Sequence, residues 1–147
     1  MFDTAQDPGI DITRDFAAAP EAVFKAWTDP AQFAGWWGGA EVEVPLESVT
    51  MDVRSGGKWT ATMILQNGHH MPWHGEYIEV DAPRRLVLTL ADRPGDEREI
   101  VTVTLTPTTS GTQMHVTQHG GHMDADGYAM ATEGYQSFFD AMQTIVE

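Results

Sequence analysis

The strongest constraint in this sequence is a change of hydrophobic period. From about residue 40 to residue 120, runs rich in Val, Thr, Leu, Trp and Tyr alternate with turn residues, and after Gly120-Gly121 the apolar positions recur every three or four residues. A two-residue period marks strands with one buried face, and a period near 3.6 marks an amphipathic helix. Trp59, Ala61, Met63 and Leu65 fall on one strand face, with Thr60, Thr62 and Ile64 on the other. Val101, Val103 and Leu105 alternate with Thr102, Thr104 and Thr106 in the same way. Turn chemistry stands at Ser55-Gly56-Gly57, Asn67-Gly68, Asp81-Ala82-Pro83, Arg93-Pro94-Gly95-Asp96 and Thr109-Ser110-Gly111. Asn67-Gly68 is the sharpest hairpin signal. The helical stripe that follows contains Ala131, Tyr135, Phe138, Met142 and Ile145, with Gly134 placed to let the helix approach the sheet closely.

Upstream, Ile10 and Ile12 alternate with Asp11 and Thr13 before Phe16, the pattern of a short half-buried strand. Ala19-Pro20-Glu21 and Asp29-Pro30 are two helix starts, each with proline suited to the first helical position. The second helix is expected to carry Phe33 and end near Trp36-Trp37-Gly38-Gly39. Two adjacent indoles there should not both point into one core, so one is expected to anchor the helix end and the other to reach a cavity rim. The order is strand, two helices, about six strands and one long helix. A sheet with its helices on one face is an α+β solution.

The 147 residues suit a tail over residues 1–9 and a single domain over 10–147, with no repeat or linker to divide it. With no cysteine, disulfides, thiolate metal sites and cysteine nucleophiles are excluded, which fits a cytoplasmic location. The first residues are acidic and lack the apolar run of a secretory signal, and no stretch is long and apolar enough for membrane insertion. A formal charge of -14 repels phosphate backbones, so no nucleic acid partner is expected. Every basic residue lies at or before Arg98, leaving an acidic C-terminal third that serves solubility or a basic protein partner.

Taken in order, several segments carry a resemblance. They are Phe16-Ala17-Ala18-Ala19-Pro20 with Val23-Phe24, Ala26-Trp27-Thr28-Asp29-Pro30, Trp36-Trp37-Gly38, and Met51-Asp52-Val53-Arg54-Ser55-Gly56-Gly57-Lys58-Trp59. Gly75-Glu76-Tyr77-Ile78-Glu79-Val80, Pro83-Arg84-Arg85-Leu86-Val87, Gly111-Thr112, His119-Gly120-Gly121 and Gly134-Tyr135 complete the set. Over roughly residues 10–147 the chain resembles the heat-shock ATPase activator homologues of the START-like, or SRPBCC, superfamily. It departs at Tyr135, where that family usually has tryptophan. The resemblance implies the helix-grip fold, a curved antiparallel sheet around a long C-terminal helix with a cavity between them. It implies less about activity, because one scaffold hosts many functions.

Such a cavity would be lined by Trp37, Trp59, Met63, Tyr77, Leu88, Tyr135, Phe138 and Met142, with His74 and His119 as polar contacts. Ordinary core packing is the competing account of each apolar side chain. Eight methionines favour an adaptable pocket. His69, His70 and His74 gather at one hairpin and His115, His119 and His122 at the last strand, yet His115 and His119 stand about 13 Å apart along a strand. No metal and no cofactor is expected. His122-Met123-Asp124-Ala125-Asp126-Gly127 with Glu133 has calcium-loop spacing, but histidine takes the first ligand position and helix capping by Asp124 or Asp126 explains the acids. Asp52, Arg54, Glu76 and Glu79 suit a solvated sheet face or cross-strand ion pairs.

No nucleophile elbow and no phosphate-binding loop occurs, so no catalytic residue is assigned. The expected function is binding or transport of a small hydrophobic molecule. A cyclase- or hydrolase-type enzyme using His74, Glu76, Tyr77 or His119 in the same cavity is the alternative, and a chaperone-ATPase cofactor with a chaperone partner is a third. The sequence leaves a homodimer open.

Overall fold

The computed structural model describes residues 9–40, 42–92, 99–120 and 124–147. The tail therefore lies outside the described residues apart from Gly9, as do the Arg93-Pro94-Gly95-Asp96 turn, Gly121 and the His122-Met123 start of the calcium-like loop.

Strand β1 (Ile10–Phe16) is followed by helices α1 (Pro20–Thr28) and α2 (Pro30–Trp36). Each helix opens on proline, whose missing N–H is one that the first turn leaves unbonded anyway. Asp29 caps α2 by accepting from the Gln32 amide at 3.1 Å. A short 3-10 turn at Leu46–Ser48 leads into β2 (Thr50–Met51), β3 (Lys58–Ile64), β4 (His70–Asp81), β5 (Arg85–Leu90), β6 (Glu99–Thr108) and β7 (Gly111–His119). Helix α3 (Ala125–Val146) closes the chain. Asp124 caps α3, its carboxylate accepting from the Gly127 amide at 2.9 Å, so capping is what the aspartate before this helix does.

The strands form one antiparallel sheet in the order β1-β7-β6-β5-β4-β3-β2, which sets the first strand beside the last. The expected hairpin is the β3–β4 turn, where Gly68 takes a positive φ of 85° and the Asn67 side chain accepts from the His69 amide. Arg54 pairs with Asp52 at 2.9 Å and Arg85 with Glu79 at 3.1 Å, on the solvated side.

On the inner face Trp59, Ala61 and Met63 of β3, Val101, Val103 and Leu105 of β6, and Met114 and Val116 of β7 are all buried. Helix α3 covers them with Tyr128, Tyr135, Phe139 and Met142. Phe139 has no exposed surface, whereas Phe138 beside it is half-buried. Both positions belong to the inward stripe, three and four residues after Tyr135, and the wider stripe meets the tryptophans of the first helices. The Phe139 ring lies 6.2 Å from Trp27 and 6.1 Å from Trp36. Arg14, on the inner row of β1, bonds the Gln136 carbonyl at 3.1 Å and pairs with Asp140, tying the edge strand to α3. The result is the α+β helix-grip architecture.

The tryptophan pair differs from expectation in one respect. Trp36 anchors α2, donating its indole N–H to the Ala26 carbonyl at 2.7 Å, but Trp37 is buried as well. The helix ends between them, with Trp37 in extended backbone, so the two rings meet edge to face at 5.8 Å within one aromatic cluster.

Candidate functional site

Antiparallel pairing brings the C-terminal ends of β3, β5 and β7 to the same edge of the sheet as the N-terminal ends of β4 and β6. At that edge the inner rows and the N-terminal half of α3 do not meet. A cavity of about 590 Å³ lies between them. Met63, Met71, Trp73 and Leu90 line it from the sheet, Trp37 and Val42 from the segment after α2, and Ala131, Gly134, Tyr135 and Phe138 from the helix.

Trp37 is the hub of the wall. It stacks on Phe33 at 5.1 Å and meets Trp73, Phe138 and Trp59 edge to face at 5.8, 5.4 and 6.0 Å. Such contacts hold the rings in fixed orientations. The indole nitrogens of Trp37 and Trp73 have no hydrogen-bond partner and no exposed surface, so both are sealed inside the aromatic wall. Gly134 contributes differently from expectation. A Cβ built on it would meet nothing within 4 Å. It therefore opens space at the cavity instead of permitting close helix-to-sheet packing.

The polar part of the lining is Asp92, Glu99, Gln118 and Tyr135. The Tyr135 hydroxyl donates to Gln118 Oε1 at 2.6 Å, Gln118 Nε2 donates to Glu99 Oε1 at 3.0 Å, and the Tyr128 hydroxyl donates to Glu99 Oε2 at 2.7 Å. Burial first, and then the negative charge of Glu99, push the Tyr135 hydroxyl well above the usual tyrosine range. Tyr135 is thus a donor at neutral pH, and Tyr135, Gln118, Glu99 and Tyr128 each have a hydrogen-bond partner.

Of the residues nominated from sequence, Trp37, Met63, Tyr135 and Phe138 stand in this lining. Trp59, Tyr77, Leu88 and Met142 are buried elsewhere on the inner side. Trp59 supports the cavity from behind, donating its indole N–H to the Thr89 carbonyl at 3.0 Å. Met142 and Leu88 fill the core away from the cavity edge. Burial and the neighbouring Asp52 raise the Tyr77 hydroxyl above its ordinary value, at a position outside the lining.

His74 and His119 stand outside this lining. Trp73, Gly75 and Tyr77 face inward along β4, so His74 takes the opposite face, and it does not line the cavity. His119 is exposed, because the inward row of β7 runs through Met114, Val116 and Gln118. The neighbouring His115 on that outer face bonds Asp11 at 2.7 Å. Glu99 and Gln118 were missed, and alternation could have found them. Glu99 continues the row of Val101, Val103 and Leu105 by one step, and Gln118 continues that of Met114 and Val116. Among the described residues no three His, Asp or Glu side chains gather at metal-binding separations, and no helix is long and apolar enough to cross a membrane.

The model of the family described as Activator of Hsp90 ATPase homolog 1-like protein matches residues 17–147. A crystal structure of a Chromobacterium violaceum protein is similar with a TM-score of 0.85 at 27% identity, covering 95% of this chain and 98% of that one. An AHSA1-like protein from Aeromonas hydrophila, solved by NMR, gives 0.79 at 24% identity over 94% and 91% of the two chains. The AHSA1 protein from Silicibacter pomeroyi gives 0.80 at 24% identity over 92% and 95%. No curated protein matches the sequence. The family model spans all but the first strand and the tail, and the solved relatives share the sheet wrapped on its C-terminal helix. The chain belongs to the Activator of Hsp90 ATPase homolog 1-like family, and its fold is the helix-grip fold of the START-like superfamily.

Proposed function

We propose that this protein binds a small hydrophobic molecule in the cavity between the sheet and α3. The observation that carries the reading is the cavity itself, about 590 Å³ walled by rings and thioethers. Protein interiors are close-packed, and voids larger than a water molecule forfeit dispersion contacts on every side. Ligand pockets occupy roughly 300–1,000 Å³ and combine apolar walls with a few placed polar groups, as here. Met63 and Met71 give the wall two adaptable side chains, and Tyr135 and Glu99 give it orientation.

An enzymatic use of the same cavity would need titratable groups facing the bound molecule. The histidines nominated for that work do not line it. The titratable groups that do are Asp92, Glu99 and Tyr135, and Glu99 and Tyr135 are engaged with Gln118 and Tyr128, so the carrier reading rests on the apolar walls.

Thermal denaturation with neutral aromatic probes such as naphthylethanol tests the proposal. A ligand at one hundred times its Kd stabilises the native state by about 2.7 kcal/mol, which raises Tm by about 5–10 °C in a chain of this size. A set of ring-bearing and alkyl probes that leaves Tm unmoved at millimolar concentration contradicts it.

A further inference from the structure

We infer that the ligand is an amphiphilic organic cation, a proton-bearing ammonium group on an apolar, ring-containing body. This deepens the ligand-binding reading and rests on it.

Glu99 sits at the centre of the bonded polar network. A carboxylate only accepts hydrogen bonds. Its Oε1 takes the Gln118 amide nitrogen and its Oε2 takes the Tyr128 hydroxyl. With its nitrogen committed to Glu99, Gln118 turns its carbonyl oxygen to Tyr135, whose hydroxyl must then donate. Every proton in the chain of bonds therefore runs toward the carboxylate. What Glu99 and Tyr135 have left to offer a ligand is lone pairs. Both donors to Glu99 are neutral, so its charge has no cation against it within the network. Among the described residues no Lys or Arg lines the cavity. In a partly desolvated cavity such a polar end attracts a positive, proton-donating group and repels an anion.

The apolar part of the wall agrees. Trp37, Trp73, Tyr135 and Phe138 surround the space, and aromatic faces carry the negative side of a quadrupole that attracts ammonium groups. The two unbonded indole N–H groups do not argue for an anionic ligand, because neither nitrogen has surface to present.

Three probes with one naphthalene ring separate the alternatives: naphthylethylamine, naphthylethanol and naphthylacetate, carrying positive, zero and negative charge. Titration calorimetry at about 0.15 M salt, where the Debye length is about 8 Å, keeps the overall charge of the protein from dominating. The protein is tested unaltered, as Glu99→Gln, and as Glu21→Gln, which removes one exposed acid from α1. The expected order is amine tighter than alcohol by about tenfold or more, with acetate weakest, since charge-assisted hydrogen bonds are about twice as strong as neutral ones. Glu99→Gln, whose amide can still bond Gln118 and Tyr128, should bring the amine-to-alcohol ratio near one, and Glu21→Gln should leave it unchanged. Equal binding of amine and alcohol, tighter binding of acetate, or an amine preference that survives Glu99→Gln overturns the inference while the ligand-binding reading stands. If the folded protein binds none of the three, both fall.

Discussion

Gly75 shows how much one residue can carry. A Cβ there would sit 1.9 Å from the Thr89 carbonyl oxygen and 2.5 Å from the Trp59 indole nitrogen. The Trp59 side chain crosses β4 at this glycine to reach β5, and its bond to Thr89 depends on the missing side chain. Gly75→Ala should therefore cost about 2–4 kcal/mol, the sum of overpacking and a broken buried hydrogen bond. Chemical denaturation checks this, and a loss within experimental error would show that the strands can part at no cost. At the same scale, the polar residues of the cavity were legible in parity and not in chemistry. His74 and His119 attract notice because imidazole is versatile, but a strand sends neighbours to opposite faces. Gln118 and Glu99, one step along rows already identified as inward, hold the positions the histidines were assigned.

At the scale of elements, periodicity carried most of the description. The two proline-led helices, the Asn67-Gly68 hairpin and the aspartate cap of α3 follow from local rules that tertiary contacts do not oppose. The role of Gly134 was not legible, since a helical glycine opposite a sheet reads equally as close packing or as open space. The structure decides for open space. Glycine inside a helix is less favourable than alanine by roughly 0.5–1 kcal/mol, and nothing within 4 Å of the added methyl offsets that difference. Gly134→Ala should accordingly raise stability by about that amount in denaturant titrations. A destabilised variant would mean that the helix lies nearer the sheet than described. The width of the apolar stripe on α3 was likewise underestimated from sequence. Phe138 and Phe139 divide its duties, one lining the cavity and the other filling the core.

At the scale of the whole molecule, the curved sheet and the helix leave one end filled and the other hollow. Around Phe139, Met114 and Met142 the interior is closed, and the cavity begins at Tyr135 and Gly134. Periodicity and turn chemistry pointed to the α+β order and the family resemblance implied the helix-grip fold, but a cavity is a difference between side-chain volume and available space, which no local pattern encodes. If this space receives a ligand, a plug in it should keep the ligand out. Gly134→Phe sends a ring into the open volume from a position with no neighbour within 4 Å, and phenylalanine is a better helix former than glycine. Calorimetric titration of naphthylethanol into the unaltered protein and into Gly134→Phe, with Tm recorded for both, is the decisive measurement. The expected result is an unchanged or higher Tm together with affinity reduced by at least about tenfold. Equal affinity in a variant of undiminished Tm would contradict it.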